Sequence, residues 1–257
     1  MKYFILLLLV LLPIKDHGQV IRVAIAADAQ FVARKLAADF EKKTAIRVEV
    51  IPGSSGNLTA LIENGAPYDI FLSADMHYPE KLYKAGFALE KPKIYAFGKL
   101  VLWSINERDL SKGIQIVLSP DIHTIAIANP KFAPYGLAAV EALTKSRLYN
   151  TIKSKIVLGE NIGQVDQYLL SNVTDLAFTA KSIVKDPAMK DKGKWVEVDD
   201  TLYKPIAQGV IILKYPKGIN QIAAKKFYRF LFSPAAKNIF TLYGYKIKSN
   251  EQIERKD

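Results

Sequence analysis

Four short loops carry residue types that could bind a small anion. Each follows a β-branched apolar stretch and precedes a stretch with helical spacing, and none contains lysine or arginine. The loops are Ala27-Asp28-Ala29-Gln30, Gly53-Ser54-Ser55-Gly56-Asn57, Ala133-Pro134-Tyr135-Gly136 and Glu160-Asn161-Ile162-Gly163. The first N–H groups of a helix lack partners within it and lie at the positive end of its dipole. An anion held between such helix starts could be bound by neutral donors alone.

The serines of the second loop have other interpretations. Serine is a common helix cap, and Gly-Ser-Ser-Gly is also an ordinary turn. In hydrolases with the motif Gly-x-Ser-x-Gly, the nucleophilic serine also lies between a strand and a helix. That motif has one serine two positions from each glycine, whereas here Gly53 and Gly56 directly enclose two serines. The candidate bases His77 and His123 lie in no motif with a carboxylate. We therefore expect no enzyme and keep a hydrolase using Ser55 as an alternative.

Metal and cofactor chemistry has little support in the sequence. Asp69 and Asp75 flank the apolar run 70–72, where a metal or an acid-base pair could be imagined. Turn and cap roles at strand ends are favoured for both. The chain contains no cysteine, which excludes disulfides, thiolate metal sites and a cysteine nucleophile. We expect no bare metal cation and no cofactor.

The elements that position the loops alternate along the chain. The predicted strands are 21–26, 46–51, 68–73, 99–104, 124–128, 155–158, 176–179 and 206–213. The predicted helices are 31–43, 58–64, 79–85, 137–148, 164–171 and 219–231. A last helix has Ser233 as its cap, Pro234 in its first turn and Gly244 at its end. This alternation predicts an α/β fold, in which ligands bind at the carboxyl ends of strands.

The chain divides into two α/β series joined by extended segments near Lys99 and Pro205. We predict a first lobe from residues 20–98 and 206–257 and a second lobe from residues 99–205, with the ligand cleft between them. Two crossings of the chain would form a hinge, so the lobes could close around a ligand.

The amino-terminal residues and the charge bear on location and partners. Residues 1–18 combine a lysine, a short apolar run and a polar break, which predicts a signal peptide and export to the periplasm. The formal net charge is +11, but the lysines are scattered and no basic block is interleaved with aromatic residues. This pattern favours a solvated basic surface, with no nucleic-acid partner.

Several stretches, in this order, resemble the molybdate-binding proteins of ABC importers, which are type II periplasmic binding proteins. The stretches are Gly53-Ser-Ser-Gly56, residues 64–75, residues 98–104, Ile127-Ala-Asn-Pro130 with Ala133-Pro-Tyr-Gly136, and residues 233–245. The resemblance covers nearly the whole sequence after the signal peptide. It implies the two-lobed type II fold and a monomer that captures molybdate or tungstate and delivers it to an ABC transporter permease. Another oxyanion, such as sulfate, is the alternative.

The resemblance also implies ligand contacts. In that family, hydroxyl and backbone groups hold the oxygens of the anion without a positive side chain. By position, Ser55 is the second-loop serine, with Ser54 beside it, Tyr135 is a contact from the third loop, and Ile162 donates a backbone N–H.

The first loop departs from the family pattern. The position usually held by serine or threonine is Ala29, and we expect Gln30, or the N–H groups of Ala29 and Gln30, to replace the lost hydroxyl. A tyrosine that some members carry is Ala180 here. We expect Asp28 to cap the helix that begins near Phe31. A carboxylate beside a dianion is unfavourable unless it is protonated or paired.

Overall fold

The computed structural model describes residues 19–106, 108–215 and 219–247. The predicted signal peptide therefore lies outside the described residues. Two five-stranded sheets form the framework, and each is flanked by helices. Within the described ranges, no helix is both long and apolar enough to cross a membrane.

The two sheets repeat one pattern. The strands of the first sheet are β1 (Val20–Ala26), β2 (Arg47–Gly53), β3 (Ile70–Ser73), β4 (Lys93–Gly98) and β10 (Ile206–Ile212), in the order β2-β1-β3-β10-β4. Those of the second are β5 (Leu100–Ser104), β6 (Ile125–Ala128), β7 (Ile156–Gly159), β8 (Leu176–Ala180) and β9 (Lys194–Glu197), in the order β7-β6-β8-β5-β9. In both, three parallel strands precede one antiparallel strand, which is β10 in the first sheet and β5 in the second.

The helices follow the apolar spacing of the sequence. They are α1 (Gln30–Thr44), α2 (Ser55–Glu63), α3 (His77–Lys84), α4 (Pro134–Lys145), α5 (Tyr149–Ile152), α6 (Ile162–Leu170), α7 (Lys181–Val184), α8 (Ile219–Leu231) and α9 (Pro234–Leu242). Helix α1 buries Val32, Leu36 and Phe40, which are four residues apart and share one face. The predicted start of α9 is confirmed, because Ser233 Oγ accepts the Ala236 N–H at 3.2 Å. Gly244 has a positive φ of 81° just beyond α9, as a left-handed helix end requires.

Each sheet has its own core. Helices α1, α8 and α9 cover one face of the first sheet, where Val23, Leu36 and Phe227 belong to one buried cluster, and α2 and α3 cover its other face. The last two helices thus return to the first sheet. The second sheet is buried in a separate cluster around Trp103 and Phe178.

The chain passes between the sheets at two places. Strand β4 ends at Gly98 and β5 begins at Leu100, so Lys99 alone joins them. The return runs from the end of β9 at Glu197 to the start of β10 at Ile206. We propose that the two lobes divide at these crossings, with residues 99–205 forming the second.

Candidate functional site

The four predicted loops meet at one small cavity between the two sheets. The space between its protein atoms, including the part that opens to solvent, is about 200 Å³. Its lining is Ala26, Ala27, Asp28, Gly53, Ser54, Ser55, Ala74, Ala133, Pro134, Tyr135, Asn161 and Ile162. Of these described residues none is cationic, and Asp28 is the one carboxylic acid. The cavity therefore offers hydroxyl and backbone donors instead of a positive side chain.

The second loop presents two serines with different partners. Ser54 is the N-cap of α2 and accepts the Asn57 N–H at 3.3 Å, so its capping interpretation is confirmed. Ser55 is completely buried, and its Oγ accepts the Ala74 N–H at 3.0 Å. That bond uses an oxygen lone pair and leaves the Ser55 hydroxyl proton available for donation. As the first residue of α2, Ser55 also has no intrahelical acceptor for its N–H.

The opposite wall comes from two helix starts of the second sheet. Pro134 is the first residue of α4 and brings Tyr135, whose side chain is buried, to the cavity. Ile162 is the first residue of α6, and Asn161 caps that helix by accepting the Gln164 N–H at 3.2 Å. The amino-terminus of α2 therefore faces those of α4 and α6 across the cavity. Ser54, Ser55, Tyr135 and Ile162 are brought together as the resemblance implies.

The first loop differs from expectation. Ala29 and Gln30 are not among the residues that line the cavity. Ala29 is fully buried, and the Gln30 N–H bonds to Ala27 O. A Cβ atom added at Gly163 would lie 3.5 Å from Gln30 Nε2, which places that amide beside the fourth loop. The residues of this loop that face the cavity are Ala27 and Asp28.

The expectation that Asp28 caps α1 is wrong. The N-cap of α1 is Ala29, and no side chain caps it. Asp28 lies inside a turn of 3-10 helix, Ala27–Ala29, that runs directly into α1. Its carboxylate Oδ2 accepts hydrogen bonds from Gln208 Nε2 at 2.6 Å and from the Tyr245 hydroxyl at 3.1 Å. Burial raises the pKa of the Asp28 carboxyl to about 7, although these hydrogen bonds oppose the change.

Asp28 belongs to a buried polar cluster that sequence reasoning missed. We call Asp28, Tyr95, Tyr135, Gln208 and Tyr245 the inner network. Gln208 Nε2 lies 3.3 Å from the Tyr135 hydroxyl, and Gln208 Oε1 accepts from the Tyr95 hydroxyl. Gln208 is completely buried in β10. A glutamine inside the otherwise apolar run 206–213 was the one signal in the sequence, because a buried amide requires polar partners.

A second set of contacts joins the lobes at the solvent-exposed side of the cavity. The Gly56 N–H donates to Phe132 O at 2.8 Å, and Asn57 Nδ2 donates to Glu160 Oε1 at 2.7 Å. The Tyr78 hydroxyl donates to Lys131 O at 3.1 Å. We call these three bonds the rim contacts. Together with the inner network, they hold the two lobes in a closed arrangement around the cavity.

Asp69, Asp75 and Ser55 were the residues considered for metal or hydrolase chemistry. Asp75 Oδ1 accepts the Tyr78 N–H at 3.3 Å near the start of α3, as the cap expectation requires. Asp69 Oδ2 instead accepts the Arg22 N–H of β1 at 2.6 Å, which is a contact between distant segments and not a turn or a cap. Among the described residues, no group of three histidine, cysteine or acidic residues could hold a metal. The described cavity lining includes no histidine to serve as a base for Ser55.

A larger depression lies elsewhere, beside the crossing at Lys99. It contains about 790 Å³ and is lined by Phe97, Gly98, Lys99, Asp200, Tyr203, Pro205, Ile206, Lys246 and Ile247. Lys99 and Lys246 both pair there with Asp200. None of the four loops reaches it. We place the site at the smaller cavity, where several helix starts face each other.

Comparisons with known sequences identify the family of the chain. The family described as bacterial extracellular solute-binding protein matches residues 21–246. The molybdate-binding protein ModA of Rhodobacter capsulatus is 39% identical over 89% of this chain and 88% of its own length. ModA of Azotobacter vinelandii is 36% identical over 89% of this chain and 90% of its own length.

Solved structures show the same architecture. The periplasmic molybdate-binding protein of Azotobacter vinelandii superimposes with a TM-score of 0.84 at 34% identity, covering 89% of this chain and all of that one. The sulfate-binding protein SubI of Mycobacterium tuberculosis has a TM-score of 0.73 at 14% identity over 91% of this chain and 88% of its own, and shares the fold alone. By sequence and by structure, the chain belongs to the family of bacterial extracellular solute-binding proteins.

Proposed function

We propose that the protein binds molybdate, or the closely similar tungstate, in the small cavity and delivers it to the permease of an ABC importer. The observation that carries this proposal is the cavity itself, in which the starts of α2, α4 and α6 face each other without a cation. The similarity to two ModA proteins, over 89% of the chain in each case, supports the choice of ion.

The donors that we assign to the anion come from both lobes. Ser55 supplies its hydroxyl proton, which no described acceptor takes, and its backbone N–H. Ile162 supplies a backbone N–H from the second lobe, and Tyr135 contributes its buried side chain. Fixed N–H groups and hydroxyls bind a fully desolvated anion without an ion pair, because helix dipoles and short hydrogen bonds replace its hydration shell.

The closed arrangement suggests how capture leads to transport. An anion that contacts α2 on one side and α4 and α6 on the other binds the closed form better than an open one, so it shifts the population towards closure. A monomer exported to the periplasm would then present the closed form to the membrane permease.

Thermal unfolding with added anions tests this function. We expect sodium molybdate and sodium tungstate to raise the melting temperature strongly, since a ligand at about 1,000 times its Kd adds roughly 4 kcal/mol. Sulfate, phosphate and a small organic acid at equal concentration should have little effect. A rise with sulfate or phosphate alone would contradict the molybdate assignment.

A further inference from the structure

Asp28 is a carboxylic acid in the wall of a cavity that we assign to an anion. Its side chain is buried, with 2% exposed, and its own carbonyl oxygen accepts from Ser182 Oγ at 2.7 Å. The bonds from Gln208 and Tyr245 hold the carboxyl, and the bond from Ser182 holds the main chain of the same residue. A bound anion would therefore share the cavity with this carboxyl.

An ionised Asp28 and a bound dianion exclude each other. Two unit charges 4 Å apart repel by about 4 kcal/mol at an effective dielectric constant of 20, and a dianion doubles that value. No described cation lines the cavity to offset the repulsion. The neutral acid removes the repulsion, and its O–H can donate a hydrogen bond to the anion.

We propose that Asp28 is protonated when the anion is bound, so that the protein takes up one proton together with each oxyanion. This inference rests on the proposed function and adds a specificity residue to it. The bonds from Gln208 and Tyr245 both reach Oδ2. A proton on Oδ1 leaves these two bonds in place and turns the carboxyl into a further neutral donor.

The phenols and polar groups around Asp28 do not titrate near neutral pH, and one other acid does. Tyr135, Tyr245 and Tyr95 face it from α4, from the segment after α9 and from β4, and burial raises the pKa of each phenol, so they stay protonated. Gln208 of β10 and Ser182 of α7 do not titrate.

Asp166 of α6 is a second buried acid. Its Oδ1 accepts from Thr179 Oγ1 at 2.5 Å, and burial raises the pKa of its carboxyl to about 8.

The affinity for the anion should fall as the pH rises. The Asp28 pKa is already raised, to about 7, without the anion, and a neighbouring dianion raises it further. Between the pKa of the free protein and that of the complex, binding takes up a proton, so the affinity falls as the pH rises. The fall approaches about tenfold per pH unit within that interval.

Calorimetric titration with sodium molybdate from pH 6 to 9 tests the proposal. The purified protein is titrated in pairs of buffers that are not oxyanions and that differ in protonation enthalpy. We expect uptake of about one proton per molybdate near pH 7.5 and a Kd that increases with pH. Asp28→Asn, which cannot titrate, should bind molybdate without proton uptake and with a Kd that does not vary with pH.

Asp166→Asn is the matched control, because Asp166 is a buried acid with a pKa raised to about 8 that lies outside the cavity lining. It should keep the proton uptake of the unmodified protein. Molybdate binding without proton uptake, or uptake that persists in Asp28→Asn and disappears in Asp166→Asn, overturns the role of Asp28 and leaves the proposed function intact. If molybdate does not bind at any pH, both the function and the inference fail.

Discussion

The two sides of the cavity are built differently. The inner network is almost fully buried and joins β10, α4 and the segment after α9 through side chains that hold each other in place. The rim contacts are three separate hydrogen bonds among residues such as Glu160 and Lys131, which are exposed. From this difference we expect the inner side to determine which anion is bound and the rim to determine how long the lobes stay closed.

The largest effect should come from Ser55, on the cavity wall. Ser55→Ala removes a hydroxyl donor to the anion and leaves the buried Ala74 N–H without its acceptor. A hydrogen bond to a charged group contributes about 1.5–3 kcal/mol, so we expect molybdate to bind roughly 10- to 100-fold more weakly. Titration calorimetry measures this change.

Ser233→Ala is the control for that substitution, since Ser233 caps α9 and does not line the cavity. It should lower the stability by about 1 kcal/mol and leave the affinity unchanged. Unaltered affinity in Ser55→Ala would show that backbone donors alone hold the anion.

A smaller effect is expected at the rim from Gly56→Ala. The added Cβ would lie 2.9 Å from Phe132 Cα on the other lobe, so it obstructs the closed arrangement. It would also lie 2.8 Å from the Tyr78 hydroxyl on its own lobe, which is the far end of a side chain that can shift. Overpacking of this kind costs about 1–3 kcal/mol, and we expect affinity to fall roughly tenfold. The melting temperature without ligand should not fall. Ala60→Val, on the exposed side of α2, should bind normally.

The smallest effect concerns the exposed rim bond between Asn57 and Glu160. Asn57→Ala removes this bond, and because an exposed hydrogen bond contributes at most about 1 kcal/mol, affinity should fall roughly two- to fivefold. Glu160→Gln keeps an acceptor oxygen and should bind at least as well as the unmodified protein. The dissociation rate, measured by rapid mixing with excess competing anion, should rise in Asn57→Ala. If Asn57→Ala lost as much affinity for molybdate as Ser55→Ala, the rim would also determine recognition of the anion.

Much of the fold could be predicted from the sequence. The apolar strands β1, β6 and β8 and the helices α1 and α9 were predicted within a few residues, because burial requires their spacing. Strands β4 and β9 were not predicted. Both lie at the edge of their sheets. Strand β9 has only four residues and a charged residue at each end, which leaves a weak pattern. Strand β4 contains the run 94–97, which sequence reasoning overlooked.

The site could be predicted only in part. Ser55 and Tyr135 follow from loops at strand ends, since local order places them at helix starts. The partners of Asp28 could not be predicted, because Gln208 and Tyr245 are 180 and 217 residues away along the chain. The cap expectation for Asp28 failed because a 3-10 turn continues into α1 and directs the carboxyl inwards.

The position of β10 has a consequence for the order of folding. This strand lies between β3 and β4 in the first sheet, although the whole second sheet precedes it in the chain. Every strand of the second sheet comes from one continuous stretch, so that sheet can assemble as soon as residues up to 197 are available. The first sheet remains split, with β4 unpaired, until β10 arrives. A chain synthesised from its amino-terminus would therefore complete the second sheet before the first.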